Sequence, residues 1–355
     1  MKAELEKLCT DFTDNQNAVS QAFRWDNNAL YSVCANIFCA CGHTADAGRL
    51  KECRKVIRQH THVFSRFRDK KVRSILASML SLGENAEERM ALANQYYRLL
   101  KRRFKGTEYL VLAAFLLADL ADQDLTEEKV SRGREIYRRM NKQHRILTNN
   151  TDSVFAMLLA FSEKSDDELI ADIESCYREL KTGFSSSGDA QTASQVLSVT
   201  AGVPEEKARR VIDLYNALLE ADIKYGRSHE LSPLAALSLA DTPIPVLVEE
   251  IKAVDTFLAD QKGYGSKEED LNRRAMHAVM IVSDQYAGTD QVNTTVMTNT
   301  LDMLIAKKQA SRISFFFQAL QALAGLLNKS AEEEKQTTEE APETTDSEKK
   351  PEKQK

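Results

Sequence analysis

The chain has 355 residues, of which 43% are hydrophobic and 28% charged, with 13 Gly and 6 Pro. This composition favours α-helix, and no segment alternates apolar and polar residues as a half-buried β-strand does. The net charge is −5, and nine acids against five lysines from Ser330 onward account for −4, so the remaining −1 excludes a general basic field and we expect no nucleic-acid partner.

The first residues, 1–7, are charged and have no apolar core. Elsewhere, no apolar segment reaches the length that crosses a bilayer. We therefore expect no signal peptide, no transmembrane segment and a cytoplasmic location.

Cysteines are concentrated near the start of the chain. Of the six, Cys34, Cys39 and Cys41 lie within eight residues, and His43 and Cys53 follow them. A soft metal would accept these ligands, but the spacing is not the paired CxxC of a zinc site, and a helix would turn the thiols to different faces. We expect buried thiols in a helix interface, with no metal, no cofactor and no disulfide.

A large apolar residue, most often tyrosine, recurs near the ends of predicted helices at intervals of 38 to 42 residues. The series is Ile57, Tyr97, Tyr137, Tyr177, Tyr215 and Phe257. Short apolar segments that contain a small residue, such as residues 76–80 and 112–116, form a second series between them. Two interleaved series predict an all-α fold, an α-α superhelix in which a solenoid-like array of about six to seven hairpins repeats every 40 residues or so.

We expect a single helical-repeat domain over residues 1–328 and a disordered acidic and lysine-rich tail over residues 329–355. The tail lacks large apolar side chains and cannot offset its chain entropy by burial. The most apolar segment, residues 315–327, is interpreted as a helix that closes the array, with a partner groove or a membrane-surface contact as the alternative.

Repeat architecture places the loops that follow one helix of each hairpin along a shared edge, and three of these loops are polar. The candidate ridge on this edge consists of Ser65, Arg66, Arg68, His144, Thr148, Asp152, Ser187 and Gln191. Such groups bind an anionic ligand or a partner's carboxylate. In the alternative interpretation they cap helices and satisfy carbonyl groups, while Phe64 and Phe67 pack into the next unit. The basic residues 101–105 are likewise either a solvated helix end or a binding patch.

Motifs in these loops resemble a family of uncharacterised bacterial proteins, domain of unknown function number 4003. The motifs are residues 64–68, residues 137–144 with Leu147, Thr148 and Asp152, and Gly183 and Phe184 with Gln191, Ser194 and Leu197. The resemblance covers roughly residues 10–290 and implies a cytoplasmic helical protein with no established activity. This chain departs from the family pattern, because Ser187 and Gly188 replace a Gly-Asn pair and Gln195 replaces a His.

No phosphate-binding glycine loop, nucleophile elbow or His-Glu-x-x-His motif is present in the sequence. We therefore expect no catalytic residues and a non-enzymatic protein that binds a protein or peptide partner. The alternative is a small-molecule binder or enzyme, with His144 as acid/base, Arg66 or Arg68 as anion clamp and Asp152 orienting the imidazole. An enzyme would bring these residues together in one deep pocket, whereas a scaffold would show a shallow apolar groove.

Overall fold

The computed structural model describes residues 1–286 except 25–28, 71, 120–124, 149, 151, 163, 199, 201, 227–229, 262 and 266. The described chain contains 14 α-helices and no strand, which confirms the all-α prediction. The predicted tail, the predicted helix at 315–327 and the end of the predicted domain at 328 lie outside the described residues.

The helices pair in chain order into hairpins, because each odd-numbered helix packs along the helix that follows it. The first helices of the hairpins are α1 (Ala3–Ala22), α3 (Ala47–Gln59), α5 (Ala86–Leu100), α7 (Glu127–Gln143), α9 (Asp166–Gly183), α11 (Pro204–Glu220) and α13 (Ile244–Ala259). The second helices are α2 (Ala29–Ala40), α4 (Arg73–Ser81), α6 (Glu108–Asp119), α8 (Asp152–Leu159), α10 (Ser187–Leu197), α12 (Leu231–Ser238) and α14 (Glu268–Tyr286).

The hairpins form a closed ring. Each odd-numbered helix contacts the next odd-numbered helix, and α13 contacts α1 in the same way. Helix α14 also contacts α1 and α2. The sequence predicted a serial array of hairpins without deciding whether its ends meet, and these contacts bring the last hairpin against the first.

The even-numbered helices lie inside the ring. Residues 74–80 of α4, 110–117 of α6 and 152–159 of α8 are buried on every side. The odd-numbered helices bury one stripe and expose the other, as amphipathic helices on a protein surface do. This division explains why the even-numbered helices read as continuous apolar segments in the sequence.

Helix α7 approaches α8 closely because it carries a glycine at the contact. A Cβ atom at Gly133 would lie 2.5 Å from the Met157 sulfur and 3.2 Å from the Ala156 carbonyl oxygen. The helix tolerates this glycine because its start is well capped, with the Thr126 hydroxyl accepting from the Lys129 backbone N–H.

The periodic aromatic residues lie on the odd-numbered helices, as predicted, and pack on aromatic rings from the preceding hairpin. These pairs are Phe67 with Tyr97, Phe104 with Tyr137 and Phe184 with Tyr215, with ring centroids 5.2, 6.0 and 5.2 Å apart. All three pairs are edge-to-face, the geometry that aromatic quadrupoles favour. The 40-residue period is therefore the period of one repeated contact between neighbouring hairpins.

The cysteines are thiols, and Cys34, Cys39 and Cys53 are buried as predicted. Cys41 lies beyond the end of α2, whereas the sequence placed it on that helix. Burial raises the pKa of the Cys39 thiol, although the Asn15 side-chain amide donates to its sulfur at 3.4 Å. In the described part of the chain, no group of three or more His, Cys, Asp or Glu is arranged to hold a metal ion.

The hairpin topology gives the ring two faces. The connection face carries the residues between each odd-numbered helix and the following even-numbered helix, and the return face carries the other connections. No described helix is both long and apolar enough to cross a membrane.

Candidate functional site

All eight residues of the candidate ridge lie in the connections of the connection face or in the first turns of the even-numbered helices that follow. They belong to three hairpins. Those at 65–68 are in the second hairpin, those at 144–152 in the fourth, and Ser187 and Gln191 in the fifth. The third hairpin separates the first group from the other two, so the ridge divides into separate clusters.

In the second hairpin, two of the candidate residues stabilise the loop. The Ser65 hydroxyl accepts from the Phe67 backbone N–H at 3.4 Å at the start of a 3-10 turn, Arg66–Arg68. The Arg68 guanidinium donates to the Thr61 hydroxyl at 3.0 Å and to the carbonyl groups of Arg58 and Thr61 at the end of α3. Ser65 and Arg68 therefore make the contacts expected if the candidate residues cap helices and satisfy carbonyl groups.

The other side chains of this loop point in different directions. Phe67 is buried against Tyr97 and Phe115. Phe64 is 93% exposed, so it does not pack into the next unit as the capping interpretation expected. Arg66 is exposed near Tyr97, and its charge partly offsets the burial that raises the pKa of the Tyr97 hydroxyl.

His144 occupies the aromatic position of its repeat. Its ring lies 4.5 Å from the ring of Tyr177, where Phe67, Phe104 and Phe184 lie against the tyrosines of the other repeats. Its Nε2 atom is 2.9 Å from a carboxylate oxygen of Glu174. The imidazole is therefore oriented by Glu174 and Tyr177, and Asp152, the predicted orienting residue, bonds elsewhere.

The fourth and fifth hairpins share a buried polar network. Gln191 donates to the Thr148 hydroxyl at 3.3 Å, and Gln195 donates to the Asp152 carboxylate at 2.8 Å. The two pairs have the same sequence separation of 43 residues, because each joins the start of α8 to the same face of α10 one turn apart. Ser187, the first residue of α10, is half-buried near this end of the network.

The network has one buried polar atom without a hydrogen bond. The Gln195 side-chain carbonyl oxygen has no partner among the described residues. Burial and then the negative charge of the Asp152 carboxylate raise the pKa of the Tyr137 hydroxyl. The structure thus pairs Thr148 with Gln191 and Asp152 with Gln195, while the His144 imidazole contacts Glu174 and Tyr177 and Arg68 binds its own loop.

A second site, which the sequence did not predict, lies where the ring closes. The Glu250 carboxylate on α13 accepts from Lys2 at 2.5 Å, from Tyr286 at 2.7 Å and from Gln285 at 3.3 Å. Burial raises the pKa of Glu250, but these three hydrogen bonds outweigh it, so the pKa of the carboxyl lies below its usual value. No short motif marks this site because its members lie at opposite ends of the described chain.

An open groove of about 600 Å³ runs beside this contact between α1 and α13. Its lining is Met1, Leu5, Pro245, Val246 and Ala253, with Lys2, Glu249 and Glu250 at its charged positions. Met1 and Val246 remain 52% and 38% exposed. Leu5 is buried beneath them and forms the floor. The groove has the apolar lining expected for a partner-binding surface.

A family model described as a protein of unknown function (DUF4003) matches residues 15–310. The chain belongs to this family. The resemblance seen in the loop motifs is thereby confirmed, and the match covers the described hairpins from within α1 onward. No curated protein and no solved structure matches the chain.

Proposed function

We propose that this protein is a non-enzymatic binding protein that holds a peptide or protein partner in the groove between α1 and α13. The observation that carries the proposal is the apolar groove of about 600 Å³ with exposed Met1 and Val246 side chains. Two neighbouring helices with apolar side chains between them receive the apolar face of a third helix, which is a recurrent mode of peptide recognition.

The separation of the ridge residues supports a binding role over a catalytic one. His144 and Asp152 have different hydrogen-bond partners, and Arg68 donates to carbonyl groups of its own loop. A general acid or base must reach its orienting partner and its substrate within hydrogen-bond distance. The proposal includes the scaffold role, the cytoplasmic location, the bacterial origin and the lack of nucleic-acid binding that the sequence led us to expect.

The experiment compares two exposed valines. Wild-type protein, V246D and V203D are used to capture partners from lysate, with mass spectrometry of the retained proteins. Val203 is 51% exposed, precedes α11 and does not line the groove. We expect one protein retained in near-stoichiometric amount by the wild type and by V203D, and lost with V246D. Equal retention by both variants would refute the groove as the binding surface.

A small-ligand site is the second candidate, supported by the unpaired Gln195 oxygen beside Thr148, Asp152 and Gln191. A buried amide oxygen without a donor is costly unless a ligand supplies one. Native mass spectrometry of the purified protein tests this candidate. We expect a retained molecule in the wild type that Gln195→Leu no longer holds, and a wild-type spectrum of the bare chain contradicts it.

A further inference from the structure

Three consecutive connections of the connection face form an arc of basic and apolar side chains. We define the basic arc as residues 60–70, 101–107 and 144–148. These residues include eight Lys and Arg and one acidic residue, Asp69. The connections are neighbours because α3 contacts α5 and α5 contacts α7.

The arc also holds the three most exposed large hydrophobic side chains of the described chain. Val63 is 72% exposed, Phe64 is 93% exposed and Ile146 is 96% exposed. Single exposed apolar residues are ordinary on protein surfaces. Here the three lie in connections of one face that together carry eight Lys and Arg side chains, and this combination requires an explanation.

The loop around Phe64 is fixed by its own contacts. The Ser65 backbone N–H donates to the His62 carbonyl at 3.0 Å, and Arg68 holds the far side of the loop to Thr61. Phe67, three residues on, is buried in the core. One phenylalanine anchors the loop and the other is held out into solvent.

Ile146 lies at the apex of a similarly fixed turn. The Thr148 backbone N–H donates to the His144 carbonyl at 2.9 Å, which closes the turn around Ile146. On one side the His144 imidazole is held by Glu174, and on the other the Thr148 hydroxyl is held by Gln191. Both flanks are therefore tied to the fold while the apolar side chain projects outward.

The cations of the arc are largely available to a partner. Arg102 forms an ion pair with Glu127 and Arg68 is used by its own loop. The remaining six exposed cations make no ion pair with another described residue, and they are Arg66, Lys70, Lys101, Arg103, Lys105 and Arg145. Lys70 and Arg145 lie in the connections that carry the apolar tips, and Lys101, Arg103 and Lys105 lie in the connection between these two.

We propose that the basic arc docks the protein on an anionic membrane surface. Phe64, Val63 and Ile146 enter the lipid headgroup region while the surrounding Lys and Arg side chains bind the anionic headgroups. Apolar side chains bound at the membrane interface and cations attracted to anionic lipid are the two components of peripheral membrane binding. The tips project from two separate hairpins, Val63 and Phe64 from the second and Ile146 from the fourth, which suits a soft lipid surface better than the fixed pockets of an acidic protein.

Vesicle sedimentation of the full chain tests the proposal. The probes are vesicles of phosphatidylcholine alone and of phosphatidylcholine mixed with an equal amount of phosphatidylglycerol. We expect binding to the mixed vesicles only, and weaker binding as salt is added, because exposed charges are screened. Binding to both vesicle types alike, or to neither, would overturn the proposal.

Two variants with matched controls locate the surface. F64D is expected to weaken binding more than tenfold, because it removes a large apolar side chain and adds a negative charge. The double variant R103E with K105E is expected to weaken binding at least about 25-fold, since each Lys or Arg near an anionic surface strengthens binding about fivefold. The controls are V203D, on the return face, and K51E with K55E, on the outside of α3.

The outcomes separate this proposal from the groove between α1 and α13, which shares no residue with the arc. Near-wild-type binding by the controls, with loss in both arc variants and unchanged thermal unfolding, supports the arc. Equal loss in arc and control variants overturns it, because net charge alone would then explain the binding. Binding of an acidic protein but of no vesicle also overturns it.

Discussion

Lys and Arg side chains have different environments on the two faces of the ring. On the return face, cations from the odd-numbered helices bind carbonyl groups at the ends of the even-numbered helices. Arg132 donates to the carbonyls of Ala160 at 3.2 Å and Ser162 at 2.6 Å, and Arg210 donates to that of Ser238 at 2.7 Å. On the connection face, most cations of the basic arc are exposed and make no such contact.

Helix chemistry explains the contacts at the return face. The end of an α-helix leaves carbonyl groups without partners, and these attract positive charge. Even-numbered helices end at the return face, where Arg132 and Arg210 bind such carbonyl groups. Odd-numbered helices end at the connection face, where Arg68 has the same role at the end of α3. Described residues of the return-face connections include one cation, Lys164, and three acids, Asp46, Glu84 and Asp241. The face with exposed positive charge is the opposite one, where we expect binding to an anionic surface.

The largest expected effect distinguishes the two phenylalanines of one loop. F67A should lower the free energy of unfolding by about 3–5 kcal/mol, because a fully buried ring is lost. F64A should change it by less than about 0.5 kcal/mol, because the ring is exposed. Urea unfolding of both variants measures the difference, and similar values for the two would show that the loop is placed incorrectly.

Next in size is the difference between a return-face and a connection-face arginine. R210A should cost about 2–3 kcal/mol of unfolding free energy, since carbonyls of Ser238, Ala240 and Thr242 lose a charged donor. R103A should cost less than about 0.5 kcal/mol. Equal costs in thermal and urea unfolding would contradict the assignment of the two faces.

Ring closure gives a smaller effect that depends on pH. E250Q should lower stability by about 1–2 kcal/mol at neutral pH, because the carboxylate loses its charge-assisted hydrogen bonds. The folded pKa of Glu250 is depressed, so its contribution is present above the unfolded value of 4.5 and is lost as pH falls through the folded pKa.

The wild type and E250Q should therefore converge in stability as the pH is lowered below 4.5. The neighbouring exposed carboxylate provides the control, because Glu249 has no hydrogen bond to the first hairpin. E249Q should follow the wild type at every pH. A pH-independent difference between the wild type and E250Q would argue against the contact at the closure.

The smallest effect is expected at His144. H144F should change the unfolding free energy by less than about 1 kcal/mol, since phenylalanine fills this position in three other repeats and the volumes are similar. H144A should cost more, because the contact with Tyr177 is lost. If H144F were as destabilising as H144A, the hydrogen bond with Glu174 would matter more than the packing.

Periodic patterns in the sequence were sufficient to predict the helical hairpins. The four tyrosines of the series mark a contact that recurs between hairpins two to six, so local spacing carries the information. Loop roles could be predicted only in part. A sequence does not state which of Phe64 and Phe67 turns inward, and the buried bond between Asp152 and Gln195 depends on how two hairpins stack.

Closure was not predictable from the same patterns. The repeat specifies how one hairpin packs on the next, whereas the curvature that brings α13 to α1 is a small rotation summed over the whole array. Glu250 and Lys2 are 248 residues apart and form no motif. The groove beside them could not be identified before the ends were placed together.

Zero-length carbodiimide cross-linking tests the closed ring most directly, because it joins a lysine to a carboxylate only when the two are in contact. We predict a link between the peptides that contain Lys2 and Glu250, whose charged atoms are 2.5 Å apart, and its loss in E250Q. The link between Lys164 and Asp172, 2.7 Å apart, serves as the internal control. An equal mixture of isotope-labelled and unlabelled chains shows whether a link lies within one molecule. A control link without any link between Lys2 and Glu250, or one found only between different molecules, would contradict the ring.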